Sequence, residues 1–450
     1  MIDNCVQQSP VFYRGGMGSA PVITSGKGAY IFDADGNKFL DAMGGVAVQI
    51  VGHGNEEIRE AANRALKDYA YTYSQNFTTV HQEGLAQRLR ERLDFPLESV
   101  MYFGSGGSDA NEIAMKFARQ YHLSRGKVGK YKVIGRSHAF HGNTFGTLSV
   151  SDRPSWRVTY DPYLFKSPKA PGWKTKRNLL TMSDEELKEK SIDELERIIW
   201  SEGADTISAF ILEPISGSSI AGAEPPTGYL EAVRSICDAN NILLIADEVF
   251  VGYGRVGSPR ATRLFNIEPD ITTLGKGLGS GYAPLSACVL SPKVFSGLGG
   301  TKARHQQGYT FSGIPLSCAI GVAVSDFVEK NNLFESARTI GNALHQRLHQ
   351  ELDSLEIVGE VRGRGMLAGI ELVKDKKLMS PFEEELNVAN KVAENCRELG
   401  VVVSPGSPQQ AEFSGGDQIH LAPPYITDSN DIEILVSSLR ESIIKVQNTL

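Results

Sequence analysis

The 450-residue chain has little that would tie it to nucleic acid, a membrane or an oxidising compartment. Its 46 Lys and Arg are outnumbered by 53 Asp and Glu, a formal net charge of -7. No basic excess is available to neutralise phosphates, so no nucleic-acid partner is expected. Cys5, Cys237, Cys288, Cys318 and Cys396 are scattered and odd in number, with no C-x-x-C pair, which excludes a disulfide framework. Apolar runs such as 242–246 fall far short of the ~18 residues of a membrane span. The opening MIDNCVQQSPVFYRGG lacks a basic segment followed by an apolar one, so no export is expected and a cytoplasmic setting suits the thiols. Repeats, low-complexity tracts and long charge blocks are missing too. No G-x-x-x-x-G-K-[ST] loop occurs, and no H-E-x-x-H or similar spacing, so neither a Walker-type phosphate loop nor a metal site is expected.

What is present in excess is glycine, 46 residues or about 10% against the ~7% usual. The chain around it alternates short apolar strands with helical stretches. An early hairpin is predicted across Asp35-Gly36-Asn37. Strands follow near 100–103, 132–134, 209–212, 241–246, 271–274 and 285–290, which predicts an α/β domain with a mostly parallel sheet flanked by helices. Ala110, Ile113, Ala114, Phe117, Ala118 and Tyr121 share one face of a helix, with Ser108 at its expected N-cap. From about 326 the pattern becomes that of a smaller α+β domain: a helix over 326–353, a strand over 366–372, a helix over 383–399, strands near Val401 and Ile419, and a terminal helix. Residues 162–184 read as a long irregular loop. The expected division is 1–54, packing with the small domain, 55–325 as the large domain, and 326–450 as the small one.

The glycines cluster at the C-terminal ends of proposed strands, the edge where open α/β sheets bind ligands. Phe103-Gly-Ser-Gly-Gly-Ser joins a strand to a helix, as either a phosphate cradle or an ordinary capped turn. Asp247 and Glu248 end a buried strand, and pleating turns them to opposite faces, so only one can meet a ligand; the other reading of each is a loop cap. Lys276 lies among glycines in Leu274-Gly-Lys-Gly-Leu-Gly. It is either a solvated surface residue or, in a dry pocket, a nucleophile able to form a Schiff base. Gly252-Tyr-Gly-Arg-Val-Gly matches G-x-G-x-x-G, but it sits beyond the strand with Ser258-Pro259 following, which argues against a dinucleotide site.

Taken in order, the Gly-Gly-Ser cradle, Ala139-Phe-His-Gly, Ile211-Leu-Glu-Pro, Asp247-Glu-Val, Leu-Gly-Lys276-Gly and Tyr309-Thr-Phe-Ser-Gly resemble the class III, omega-type aminotransferases that depend on pyridoxal phosphate, fold type I. The likeness runs from about Gly26 to Thr427. It implies a Schiff base between Lys276 and pyridoxal 5'-phosphate, with Lys276 then shuttling a proton. Asp247 would pair with the pyridinium nitrogen, Val249 and Phe140 would cover the two ring faces, and Glu213 would lie near Asp247. His141, in the same motif as Phe140, is counted with the cofactor residues. Gly107 and Ser108 would hold the phosphate with Thr310, which in this family comes from the neighbouring subunit. The resemblance thus implies a homodimer with shared active sites, moving an amino group from an amine donor to a keto-acid acceptor, pyruvate by family habit.

Two departures stand out. The family's Ser-Gly-Ser cradle is Gly106-Gly107-Ser108 here, one hydroxyl fewer, worth on the order of 1.5–3 kcal/mol if it bonds a charged group. Many members carry a carboxylate-binding arginine before the late Pro-Pro; here His420 stands there, and no arginine lies between Arg397 and Arg440. The donor is therefore expected to be an amine or an ω- or β-amino acid. Arg14, Arg153, Arg255 or an arginine of a second subunit are the other candidates for holding a carboxylate. A racemase, aminomutase or decarboxylase of the same fold is the alternative activity, and a catalytically silent scaffold the alternative class.

Overall fold

The computed structural model describes residues 10–13, 21–406 and 416–450. Strands β1 (Ile23–Lys27), β2 (Tyr30–Asp33) and β3 (Lys38–Asp41) pair antiparallel in sequence. The β2–β3 turn is the predicted hairpin. Gly36 takes φ +85° there, and the Asp33 carboxylate accepts from the backbone N–H groups of Asp35 (3.0 Å) and Asn37 (2.8 Å), so the turn is held by its own side chain.

The central sheet holds β4 (Val100–Gly104), β5 (Lys132–Arg136), β6 (Lys169–Ala170), β7 (Ile207–Leu212), β8 (Leu243–Asp247), β9 (Ile271–Leu274) and β10 (Ser286–Leu290), in the order β4-β10-β9-β8-β7-β5-β6. Strands β5 to β9 pair in parallel, while β10 runs against both its neighbours. The predicted α/β class and mostly parallel sheet hold. Pleating explains why β7 and β8 read as unbroken apolar runs. Ala209, Ile211, Leu243 and Ile245 face the helix Gly107–Ser124, while Phe210, Leu212 and Leu244 face the helices Asp184–Glu202 and Tyr229–Ala239.

In the C-terminal part, β11 (Val358–Arg364), β12 (Leu367–Leu372), β14 (Ser404–Pro405) and β15 (Gln418–Leu421) form a sheet ordered β11-β12-β15-β14, and the two-residue β13 (Val401–Val402) joins β3 in parallel, with Val401 opposite Leu40. One apolar core gathers Leu40 and Ala42 from the N-terminal segment with Leu344, Ile370, Val392, Ile419 and Leu439.

Three expectations need correction. The helix predicted over 326–353 is two helices, Pro315–Lys330 and Leu333–Leu352, broken where Asn332 takes φ +51°, a conformation asparagine tolerates. The stretch 162–184 contains β6 and a short helix, Lys176–Leu179, because the edge of β5 is free to accept another strand. Ser108 is not the N-cap of its helix. Gly106 is, and Ser108 sits inside the first turn.

Candidate active site

Parallel strands bring their C-terminal ends to one edge. There β8 ends at Asp247, Glu213 follows β7, Lys276 follows β9, and the helix Gly107–Ser124 starts just past β4. The β8–β9 register sets Thr273 opposite Asp247. A cavity of about 420 Å³ opens at this edge. Lys276, Asp247 and Glu213 line it together with Gly107, Ser108, Phe140, His141 and Val249, so the structure gathers these sequence-derived candidates at one place.

The cradle side is built of backbone. The first N–H groups of an 18-residue helix have no intrahelical partner and point along its axis, which suits an anion. A Cβ at Gly107 would lie 2.5 Å from Val249 Cγ1, closer than any real contact, so glycine lets this turn lie against the β8 exit. The Ser108 hydroxyl accepts from the Asn143 N–H (3.2 Å). Phe140, which also lines the cavity, is backed edge-on by Trp156 with ring centroids 5.0 Å apart.

The carboxylates are buried but well supplied with donors. Asp247, 4% exposed, accepts from Asn111 Nδ2 (2.7 Å) and the backbone N–H of Val249 (3.0 Å). His141 Nδ1 lies 2.8 Å from Asp247 Oδ2; a carboxylate only accepts, so the ring presents its Nδ1–H. Glu213 accepts from the N–H groups of Phe140 (3.1 Å) and Gly217 (2.7 Å). Burial pushes its carboxyl pKa up, His141 opposes that and Asp247 adds to it. Burial likewise pulls the Lys276 ammonium below the ordinary lysine value, against the attraction of Asp247 and Glu213. Lys276 also sits at φ +46°, a strained backbone for a residue with a Cβ, and its Nζ lies 4.8 Å above the Phe250 ring. A lysine inclined to lose its proton and an anion held in place face one cavity.

Glu248 points the other way, as pleating requires. Its carboxylate accepts from the N–H groups of Ala261 (2.6 Å) and Thr262 (3.0 Å) and caps that loop. Thr310 is exposed and does not line the cavity; its carbonyl accepts from Tyr71 Oη (2.9 Å). His420 is buried in β15 opposite Gly369 and is not among the cavity-lining residues. Burial, with the nearby charges of Arg362 and Arg153, lowers its pKa to about 3, so the ring offers a carboxylate no positive charge. Arg255 is engaged elsewhere: its guanidinium donates to the carbonyls of Met366 (3.0 Å), Pro423 (2.6 Å) and Gln49 (3.4 Å). Arg153 stacks 4.4 Å over Trp156 and lies 5.7 Å from the ring centroid of the cavity-lining Phe140, beside the cavity but not among its lining residues, and Arg14 lies outside the described residues. Sequence reasoning missed Asn111 and Thr273. The available signal was a buried polar residue breaking the apolar helix face after Ala110.

An aldehyde that takes a lysine amine, a ring nitrogen that wants an anion, and a phosphate that wants helix N–H groups are the functional parts of pyridoxal phosphate, and this donor set fits all three. The fold and the site define a pyridoxal-phosphate enzyme of the fold type I transaminase class. The family model "Aminotransferase class-III" matches residues 14–443, and the chain belongs to that family. The uncharacterized aminotransferase YhxA of Bacillus subtilis is 35% identical over 424 residues, 92% of this chain and 90% of its own. Gamma aminobutyrate transaminase 2 of Solanum lycopersicum is 31% identical over 424 residues, again 92% and 90%. A solved amine transaminase from an uncultivated Pseudomonas species, in a pyridoxal-phosphate-bound form, superposes with a TM-score of 0.88 at 30% identity, covering 97% of this chain and 99% of that one. This chain is therefore a pyridoxal-phosphate-dependent aminotransferase, and its substrates are an amine donor and a keto-acid acceptor. Among the described residues no helix is long and apolar enough to cross a membrane, and no cluster of side chains could hold a metal.

Proposed function

We propose that the enzyme moves an amino group from an amine, or from an ω- or β-amino acid, to pyruvate, with Lys276 and Asp247 as its catalytic residues. The observation that carries the donor class is what surrounds the cavity: among the described residues lining it, none is an arginine. Bidentate recognition of an α-carboxylate favours arginine, so a donor without one beside its amine loses least here. His420, neutral and buried, and Arg255, engaged with three carbonyls, offer no substitute. One relative is named for gamma-aminobutyrate, an ω-amino acid, and one solved neighbour is an amine transaminase, which agrees with this class.

Bound pyridoxal phosphate would supply an aldehyde for the Lys276 amine and a ring that draws electrons from the substrate carbon bearing the amino group. Burial favours the neutral Lys276 amine that such attachment requires. Once displaced by the incoming amine, Lys276 Nζ would take the proton from that substrate carbon and return it as general acid. Asp247 would hold the proton on the ring nitrogen, with His141 donating to its carboxylate. Val249 and Phe140 would cover the ring faces, Glu213 would lie beside them, and the Gly107 backbone and Ser108 would hold the phosphate. Thr310 of the partner subunit would complete that cradle. Exposed Tyr71, whose hydroxyl reaches the Thr310 carbonyl, and exposed Phe311 next to Thr310 support a homodimer formed through this surface.

The test has two arms. Borohydride reduction of the holoenzyme should abolish its visible band and leave the cofactor on the Lys276 peptide; an unlabelled Lys276 would overturn the site. With pyruvate as acceptor, amines and ω- or β-amino acids should form alanine faster than glutamate does. Glutamate ranking first would overturn the donor class, and no alanine from any donor would overturn pyruvate.

A further inference from the structure

Asp247 has more order around it than a lone buried carboxylate needs. Two contacts fill the acceptor positions of Oδ2, Asn111 Nδ2 at 2.7 Å and His141 Nδ1 at 2.8 Å. On Oδ1 the Val249 N–H fills one position at 3.0 Å. Thr273 Oγ1 lies 3.4 Å from Oδ1, but a hydroxyl has one proton, and Thr273 directs it to Asn111 Oδ1 at the shorter 2.7 Å. A carboxylate has about four acceptor positions, so one remains, and it is on Oδ1.

Two acceptor-only neighbours settle how the Asn111 amide is turned: one Nδ2 proton goes to Asp247 Oδ2 and one to the His141 carbonyl, also at 2.7 Å, so Oδ1 faces Thr273 and accepts its hydroxyl proton. Asn111, His141, Thr273 and Asp247 are each no more than 4% exposed, and turning the amide over would break the bonds to Asp247 and to the His141 carbonyl together. The three segments involved, the helix Gly107–Ser124, the 139–142 turn and β9, touch at this amide.

We propose that Asn111, its amide oxygen held by Thr273, is the positioning residue that saturates Oδ2 and leaves Oδ1 of Asp247 as the sole acceptor for the cofactor's ring nitrogen. This rests on the reading of Asp247 as that nitrogen's partner. Asn111 acts through Asp247 and the His141 backbone and does not touch the reacting carbon. Loss of one hydrogen bond to a buried charge predicts an effect of about 10- to 100-fold.

The experiment loads 15N-labelled pyridoxal phosphate into wild type, Asp247→Asn, Asn111→Ala, Thr273→Val and Thr273→Ser, after melting curves confirm that each is folded. It reads the ring-nitrogen shift against pH, cofactor affinity, and kcat and KM separately. Thr273→Val keeps shape and loses the proton that holds the amide oxygen; Thr273→Ser keeps it. Asn111→Ala should lower the pH at which the ring nitrogen gives up its proton and cut kcat about 10- to 100-fold at nearly unchanged KM. Thr273→Val should move both in the same direction by about 3- to 10-fold, and Thr273→Ser should stay within about twofold of wild type. If Asp247→Asn leaves the ring-nitrogen shift unchanged, the reading of Asp247 itself falls. If Asp247→Asn moves it while Asn111→Ala and Thr273→Val do not, the positioning role falls. If Asn111→Ala does not fold, Thr273→Val against Thr273→Ser decides.

Discussion

At position 107 the absence of a side chain sets how close the phosphate-facing turn can come to the strand that carries Asp247. A Cβ there would lie 2.5 Å from Val249 Cγ1 and 3.3 Å from Cγ2. Gly107→Ala must therefore push Val249 off its rotamer or lift the helix end, a strain of about 1–3 kcal/mol that falls on the cofactor's seat. Titration of apoenzyme with pyridoxal phosphate should show affinity about tenfold weaker or worse. The same change made in a Val249→Ala background should cost little, since the clashing methyls are gone. A penalty of equal size in both backgrounds would refute the packing argument. That Lys276 and Asp247 share one cavity was legible from the strand ends they occupy and the ordered motifs of the family resemblance, while their roles came from that resemblance alone. Asn111 and Thr273 were not, because their bond joins residues 162 apart in the chain and exists only once helix and sheet are packed.

At the scale of elements, two glycine-rich segments with no ligand to explain them turn out to hold each other. Residues 252–257 and 363–369 interlock: the Met366 N–H donates to the Arg255 carbonyl at 2.9 Å, and Arg255 returns a bond to the Met366 carbonyl. Gly365 sits at φ +58°, and a Cβ on it would meet Gly257 N at 2.5 Å, a backbone atom that cannot swing aside. Gly365→Ala should therefore cost about 2–4 kcal/mol in urea unfolding, adding a left-handed backbone penalty to a steric one. Gly36→Ala is the control, with φ +85° but nothing within 4 Å, and should cost only about 1–2 kcal/mol. Equal losses would mean that the interlock carries no load. The apolar runs of β7 and β8 announce a buried parallel sheet by composition alone, and the Asp35-Gly36-Asn37 turn announces its hairpin. By contrast β6, two residues long, and β11, whose Gly359 and Gly363 dilute its pattern, become strands through their neighbours' free edges. The helix break at Asn331–Asn332 was hidden because apolar periodicity continues across it.

For the whole molecule the consequence turns on Thr310. Within one chain it is exposed, outside the cavity, tied through its carbonyl to Tyr71 and flanked by exposed Phe311. If it completes the phosphate cradle of a second copy, Thr310→Ala removes a hydrogen bond to a charged group, worth about 1.5–3 kcal/mol, and weakens cofactor binding about 10- to 100-fold. Lys276→Ala removes the amine and leaves that site inactive at any cofactor concentration. The two lesions then lie in different sites of a mixed dimer. One site receives Lys276 from the Thr310→Ala chain and Thr310 from the Lys276→Ala chain and is intact; the other carries both defects. Random reassortment makes about half the dimers mixed, so limiting pyridoxal phosphate should reveal about a quarter of the wild-type activity. The measurement is alanine formation before and after co-refolding the two variants, with subunit exchange verified by a mass tag. Activity equal to the mean of the two parents, with exchange complete, would show that each chain builds its site alone.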